Sequence, residues 1–232
     1  MSPRRSSALD AIEAQVCREV GRNTQALIEA TRGELADAAR SLLHATSIGF
    51  ITGFFVPRDG VAAAETDGPV GTALLAASLG ACGVPVRIAV DSPCADAVRA
   101  AVHETRMNVS VDEVGVEDQS GIARVASTWR DAGVSHALSI ERCGASADGR
   151  PRNMRGADVS PWTAPLDDLF TAGDWVRIGI GDGGNEIGMG KLPAGLIAAS
   201  VPKIVIAVAN ETQIRPTERW FKTRPELASQ VW

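Results

Sequence analysis

Val86-Arg87-Ile88-Ala89-Val90-Asp91-Ser92-Pro93 is the stretch whose reading decides the fold. Its apolar run is short and continuous, as fits a strand buried on both faces of a parallel sheet. Pro93 follows at the place where a first-turn helix proline belongs. The same unit recurs in both directions along the chain. Ile48–Phe54, Val109–Val114, Ala137–Glu141, Val176–Ile180 and Ile204–Ala209 are similar runs separated by helix-length stretches. Pro69 marks another helix start, and Gly83, Gly133 and Gly173 stand where C-terminal glycines belong. The alternation predicts an α/β fold: a doubly wound, mostly parallel sheet with helices on both faces.

Ahead of the first strand, Leu9, Ile12, Val16 and Val20 recur at helical spacing, and Ser7 with Asp10 resembles a capping box. Thr31 and Glu34 signal a second helix whose apolar face is Leu35, Ala39, Leu42 and Leu43. The expected organisation is an N-terminal helical arm over 1–46 and an α/β catalytic domain over 47–232, forming one compact unit. The longest irregular stretch, Arg142 to Thr163, is of a length that usually signals a functional loop.

Composition narrows the function. The 232 residues are 45% hydrophobic and 22% charged, with no Tyr, so the core is aliphatic. A net charge of -5 and the lack of a basic cluster beyond Arg4-Arg5 argue against a nucleic-acid partner. Cys17, Cys82, Cys94 and Cys143 form no C-x-x-C pair, so neither a zinc knuckle nor a disulfide framework is expected. No stretch approaches the roughly 20 apolar residues that span a bilayer, and the chain reads as cytoplasmic, with no membrane partner. The expected partner is a small-molecule substrate, with homo-oligomerisation left open.

Open α/β sheets bind ligands at the carboxyl ends of their strands, and carboxylates accumulate there. Glu65, Thr66, Asp67 and Gly68 follow the first strand, Asp91 the second, Glu141 ends the fourth, and Asp182, Asn185 and Glu186 follow the fifth. Asp67 alone would be a helix cap, and it is the company of other acids that points to a site. In Gly181-Asp182-Gly183-Gly184-Asn185-Glu186, paired glycines let the backbone approach a ligand, and the spaced carboxylates suit a divalent cation: Mg²⁺, Mn²⁺ or Ca²⁺. The plainer reading is a glycine turn with Asp182 capping the next helix. Asn153 and Arg155 place an amide and a guanidinium on the long loop, and Arg is the natural bidentate partner of a carboxylate. His44, His103 and His136 share no motif, and no Gly-x-Ser-x-Gly elbow occurs. A nucleotide cofactor is not expected, because Gly181-x-Gly183 lacks a third glycine at 186 and lies late in the chain.

Five ordered motifs together resemble the D-glutamate cyclase family: Thr52-Gly53-Phe54, Glu65-Thr66-Asp67-Gly68-Pro69 with Gly71, Ile140-Glu141-Arg142, Asn153-Met154-Arg155-Gly156, and Gly179 through Lys191. The resemblance implies a lyase that cyclises D-glutamate, or a related acidic amino acid, to 5-oxo-D-proline and water. Assigned by chemical type, Glu65, Asp67, Asp182 and Glu186 are the expected cation ligands, and Glu141, Asp182 and Glu186 the expected catalytic acids. Thr66, Gly68, Asn153, Arg155, Gly183, Gly184 and Asn185 then face the substrate, with Arg155 on its α-carboxylate. Beyond Lys191 the chain reads as shortened or divergent from the family pattern.

Two alternatives stand beside this one. Gly-Asp-Gly-Gly-Asn-Glu is similar to the last metal-binding motif of haloacid-dehalogenase-type phosphatases, yet no Asp-x-Asp follows the first strand. A metal-dependent phosphatase or pyrophosphate-type hydrolase of another form stays open. So does a non-catalytic amino-acid-binding relative.

Overall fold

The computed structural model describes residues 3–18, 24–58 and 61–200. Five parallel strands form the sheet: β1 (Ile48–Thr52), β4 (Val86–Asp91), β5 (Ser110–Val114), β6 (His136–Ile140) and β7 (Val176–Ile180), in the spatial order β5-β4-β1-β6-β7. Between β1 and β4 the chain inserts an antiparallel hairpin, β2 (Phe55–Arg58) and β3 (Val61–Ala64). Helices α4 (Asp67–Ala81) and α5 (Ser92–Glu104) cover one face of the sheet. Helices α6 (Gly121–Asp131) and α7 (Leu166–Thr171) cover the other. The α/β, doubly wound expectation therefore holds. The expected sixth strand, Ile204–Ala209, and the tail to Trp232 lie outside the described residues.

Period-two alternation sorts the two cores. Ile48 and Phe50 of β1, with Ile88 and Val90 of β4, join Ala73, Ala76 and Val98 beneath α4 and α5. Ile51 and Ala89 point the other way, toward Trp129, Leu166, Leu169 and Phe170. Each fully buried Ile, Leu, Val or Phe among them contributes about 1.5–3 kcal/mol. Trp129 is the largest of them. Its ring meets Trp175 edge-on with centroids 5.5 Å apart, and its Nε1–H donates to Asp112 at 3.0 Å. Gly49 permits this, since a Cβ there would overlap the indole.

The hairpin departs from expectation, because the sequence predicts a first strand over Ile48–Phe54 and no further strand before Glu65, whereas β1 ends at Thr52 and β2 and β3 follow. Arg58 pairs with Val61, leaving Asp59-Gly60 between them, and Asp-Gly is a strong two-residue hairpin signal.

The N-terminal arm is helical, comprising α1 (Pro3–Val16), α2 (Gln25–Ala30) and α3 (Glu34–Leu42), with α2 unforeseen. Its capping differs from the sequence reading. Ser7 lies inside α1, and the Thr31 hydroxyl donates back to the Leu27 and Ile28 carbonyls instead of capping α3. The cap comes from Glu13 of α1, whose carboxylate accepts the Gly33 N–H at 2.8 and 2.9 Å and the Leu35 N–H at 3.2 Å. A carboxylate at a helix N-terminus satisfies orphan donors and meets the positive end of the dipole. Leu27 of α2 packs with Leu192 and with Ile197 of α8 (Ala194–Ser200). Lys191 also reaches Glu34 at 2.6 Å, so the arm is fastened to the segment just after the glycine-acid loop. No helix among the described residues is long and apolar enough to cross a membrane.

Candidate active site

Strand order reverses between β1 and β6, the topological switch point where open α/β sheets bind ligands. At that edge lies a cavity of about 520 Å³, within the usual range for small-molecule sites. Glu65, Asp67, Glu141, Asp182 and Glu186 supply its acidic lining, and Phe54, Val56, Pro57 and Met154 its apolar lining. Arg155 is the single cation among the described lining residues.

Glu141 follows β6 directly and takes a left-handed backbone, with φ 47°. A non-glycine residue held there stores about 1–3 kcal/mol of strain and persists only where its surroundings impose it. Here the Glu141 N–H donates to the Ile180 carbonyl at 2.9 Å, while the Thr52 hydroxyl donates to the Ile140 carbonyl at 2.9 Å. Gly68 at the start of α4 lets the helix close in, because a Cβ there would stand 2.8 Å from Thr52 Oγ1 and 3.1 Å from Glu141 Cβ. Burial, then the negative charges of Glu186, Asp182, Asp67 and Glu65, push the Glu141 carboxyl up to about 8. Near neutral pH it is poised to hold or release a proton.

Glu141, Asp182 and Glu186 each offer an oxygen within 4.8 Å of the others'. Hard oxygen donors so placed could hold Mg²⁺, Mn²⁺ or Ca²⁺. Glu65 and Asp67, expected beside Asp182 and Glu186 as ligands, line the same cavity but stand outside this trio. Asp67 opens α4 and accepts the Gly68 N–H at 2.8 Å.

Within the glycine-acid loop the acceptor is internal. Glu186 Oε1 takes the N–H of Gly183 at 2.6 Å and of Asp182 at 3.2 Å, and Oε2 takes that of Gly184 at 2.6 Å. Burial raises the Glu186 carboxyl above its ordinary value, against the pull of the Gly183 and Gly184 N–H groups. The glycines are needed for this closure. A Cβ on Gly181 would fall 2.6 Å from Glu186 Cγ, and one on Gly183 would fall 2.8 Å from Oε1. The loop is then zipped to the segment after β6 by Gly144 N–H to Asn185 O at 2.9 Å and Ile187 N–H to Arg142 O at 2.8 Å.

A family model described as D-glutamate cyclase-like, C-terminal, matches residues 12–213. The chain belongs to the D-glutamate cyclase-like family. That match takes in every described residue lining the cavity, from Phe54 to Glu186, and extends from within α1 to beyond Lys191. A curated relative, the mitochondrial D-glutamate cyclase of Homo sapiens, is 34% identical over 174 residues, which is 69% of this chain. The chain spans 28% of that relative's length.

In this member of the family the remaining sequence-expected residues are placed as follows. Asn153 and Asn185 line the cavity, but Asn153 Oδ1 accepts the N–H groups of Arg155 and Ala157 at 2.9 and 3.1 Å, and Asn185 Nδ2 donates to Arg152 O at 2.9 Å. Both shape the loops that carry them. Arg155 is exposed at the cavity wall. Thr66 is exposed and Gly68 buried, and neither lines the cavity; nor do Gly183 and Gly184, whose N–H groups are committed to Glu186. Asp91, counted in sequence among the acids at this edge, is fully buried and pairs with Arg142. Cys143 also borders the cavity, but burial pushes its thiol up to about 12, so it is no nucleophile at neutral pH. Neither Arg142 nor the apolar wall has an assigned role in the sequence analysis, although Phe54 and Met154 stand inside its motifs. Arg142 stood inside a quoted motif, and its pairing is invisible without the fold.

Proposed function

We propose that this chain converts D-glutamate, or a closely related acidic amino acid, to 5-oxo-D-proline and water. The observation that carries the reading is the clustering of Glu141, Asp182 and Glu186 at the switch-point cavity of a D-glutamate cyclase-like chain. In the reaction the amino nitrogen bonds to the side-chain carboxyl carbon, one carboxyl oxygen leaves, and the two protons lost by the ammonium group depart with that oxygen as water. A group must therefore take a proton from nitrogen and deliver it to oxygen. Glu141, held above the ordinary carboxylate range by burial and by its acidic neighbours in the cation-free chain, is the group proposed for this transfer.

Asp182 and Glu186, with Glu65 and Asp67 in the same cavity, would hold a divalent cation, and the chemistry supplied there is charge neutralisation of the substrate's reacting carboxylate. Arg155 takes the α-carboxylate, as the single described cation of the lining. Phe54, Val56, Pro57 and Met154 cover the methylene carbons and keep bulk water from the forming ring. Asn153 and Asn185 fix the loops that bring Arg155 and Asp182 to the substrate. Thr66, Gly68, Gly183 and Gly184 act through the backbone they shape.

The reading is tested by chiral chromatography of 5-oxoproline formed from D- and L-glutamate, with Mn²⁺, with Mg²⁺ and with EDTA. Product from the D enantiomer, dependent on a cation, is expected. Absence of product from D-glutamate under every cation overturns it.

A further inference from the structure

We propose that Arg142 is a positioning residue, which sets the backbone of Glu141 and so aims its carboxylate at Asp182 and Glu186. The catalytic consequence rests on the cyclase reading; the structural claim stands apart from it. Glu141, with its left-handed backbone, lines the cavity, while the next residue, Arg142, is 1% exposed and turned into the fold. Arg142 Nη1 donates to the Gly53 carbonyl at 2.7 Å and to Asp91 Oδ2 at 2.5 Å, and Nη2 donates to the Ala164 carbonyl at 2.6 Å. Those acceptors lie just past the end of β1, at the end of β4 and just before α7. Its own carbonyl takes the Ile187 N–H, which ties it to the glycine-acid loop. One residue thus joins the segments that lead to Glu65 and Asp67, to Glu141, and to Asp182 and Glu186.

Stability alone is a poor account of this pair. Arg142 Nε and Asp91 Oδ1 are buried with no hydrogen-bond partner. Apolar residues of similar volume often serve a fold as well as a buried ion pair does, or better. What they lack is a rigid planar fork that fixes three acceptors at once, and lysine lacks it too.

The test compares wild type, the double variant Asp91→Leu/Arg142→Met, which leaves no unpaired charge, and Arg142→Lys. Three quantities are measured: thermal midpoint, amide hydrogen exchange at Glu141 and Ile187, and D-glutamate turnover with Mn²⁺. The double variant also leaves the buried Gly53 and Ala164 carbonyls without their donor, so we expect a folded chain with its midpoint lowered by about 4–12 °C, and exchange at the two amides faster by about tenfold or more relative to the amides of β4. Its kcat should fall by about 100-fold with KM nearly unchanged, as a misplacement of about 1 Å can produce. Arg142→Lys should fall between the two. A folded double variant with wild-type exchange and kcat overturns the proposal. If the double variant does not fold, Arg142→Lys decides: wild-type exchange and kcat in that variant overturn it equally. Should wild type form no 5-oxoproline, the cyclase reading falls, while the exchange comparison still settles the role of Arg142.

Discussion

Replacing Glu141 with glutamine keeps the side chain's size and removes its charge, which separates what the fold tolerates from what the chemistry needs. The Glu141 carboxyl is raised from 4.5 to about 8, first by burial and then by four neighbouring acids. Because the folded-state value lies above the unfolded one, the native state holds a proton that the unfolded chain releases. Its contribution to stability is therefore lost as pH rises from about 4.5 to 8 and is flat above that window. At about 1.4 kcal/mol per pH unit the full span would be about 5 kcal/mol. Glu141 is only half-buried, and solvent screening reduces this to about 1–2 kcal/mol. For a chain of this size that is about 2–8 °C. Scanning calorimetry from pH 5 to 9 in EDTA should show Glu141→Gln and wild type melting together at pH 5. The variant should melt higher by that margin at pH 9. Millimolar Mn²⁺ should reverse the order, since a cation rewards the carboxylate that glutamine lacks. Parallel curves across the whole range in EDTA would refute the electrostatic account of Glu141.

Three further outcomes are expected. Glu186→Gln replaces an acceptor-only carboxylate with an amide that cannot take all three loop N–H groups; it should cost about 2–3 kcal/mol and lower the melting temperature by about 4–12 °C. Arg155→Ala should raise KM for D-glutamate by about tenfold or more with kcat nearly kept, as loss of ground-state anchoring does, and steady-state kinetics would show it. Glu13→Ala removes the cap of α3 and should cost about 1 kcal/mol, or about 2–4 °C, with unchanged turnover; an unaltered melting temperature would contradict the capping role.

The central strands are legible because β1, β4 and β6 are short and mainly apolar, with few polar interruptions, as fits a sheet covered on both faces. β7 carries a similar signal, although among the described strands it stands last in the sheet order, with Val176 and Ile180 exposed. The hairpin was obscured by Pro57, which demotes a strand, and by Ala62-Ala63-Ala64, which favours no strand by propensity. Residue types at the site could be read from their place after each strand, but side-chain direction could not. Gly183 and Gly184 suggest backbone offered to a ligand, whereas Glu186, three and two residues on, takes their N–H groups. Asp91 looked like one more acid of the site until its partner Arg142, 51 residues away, turned it inward. The α3 cap had the same cause, since Glu13 acts from 20 and 22 residues upstream.

The central claim is tested most directly by following oxygen. D-Glutamate labelled with ¹⁸O in its side-chain carboxylate, incubated with the protein and Mn²⁺, should yield 5-oxo-D-proline that retains one labelled oxygen and water that carries the other. Glu141→Gln should abolish both. Lack of any 5-oxoproline from D-glutamate, or equal formation by wild type and Glu141→Gln, would contradict the account.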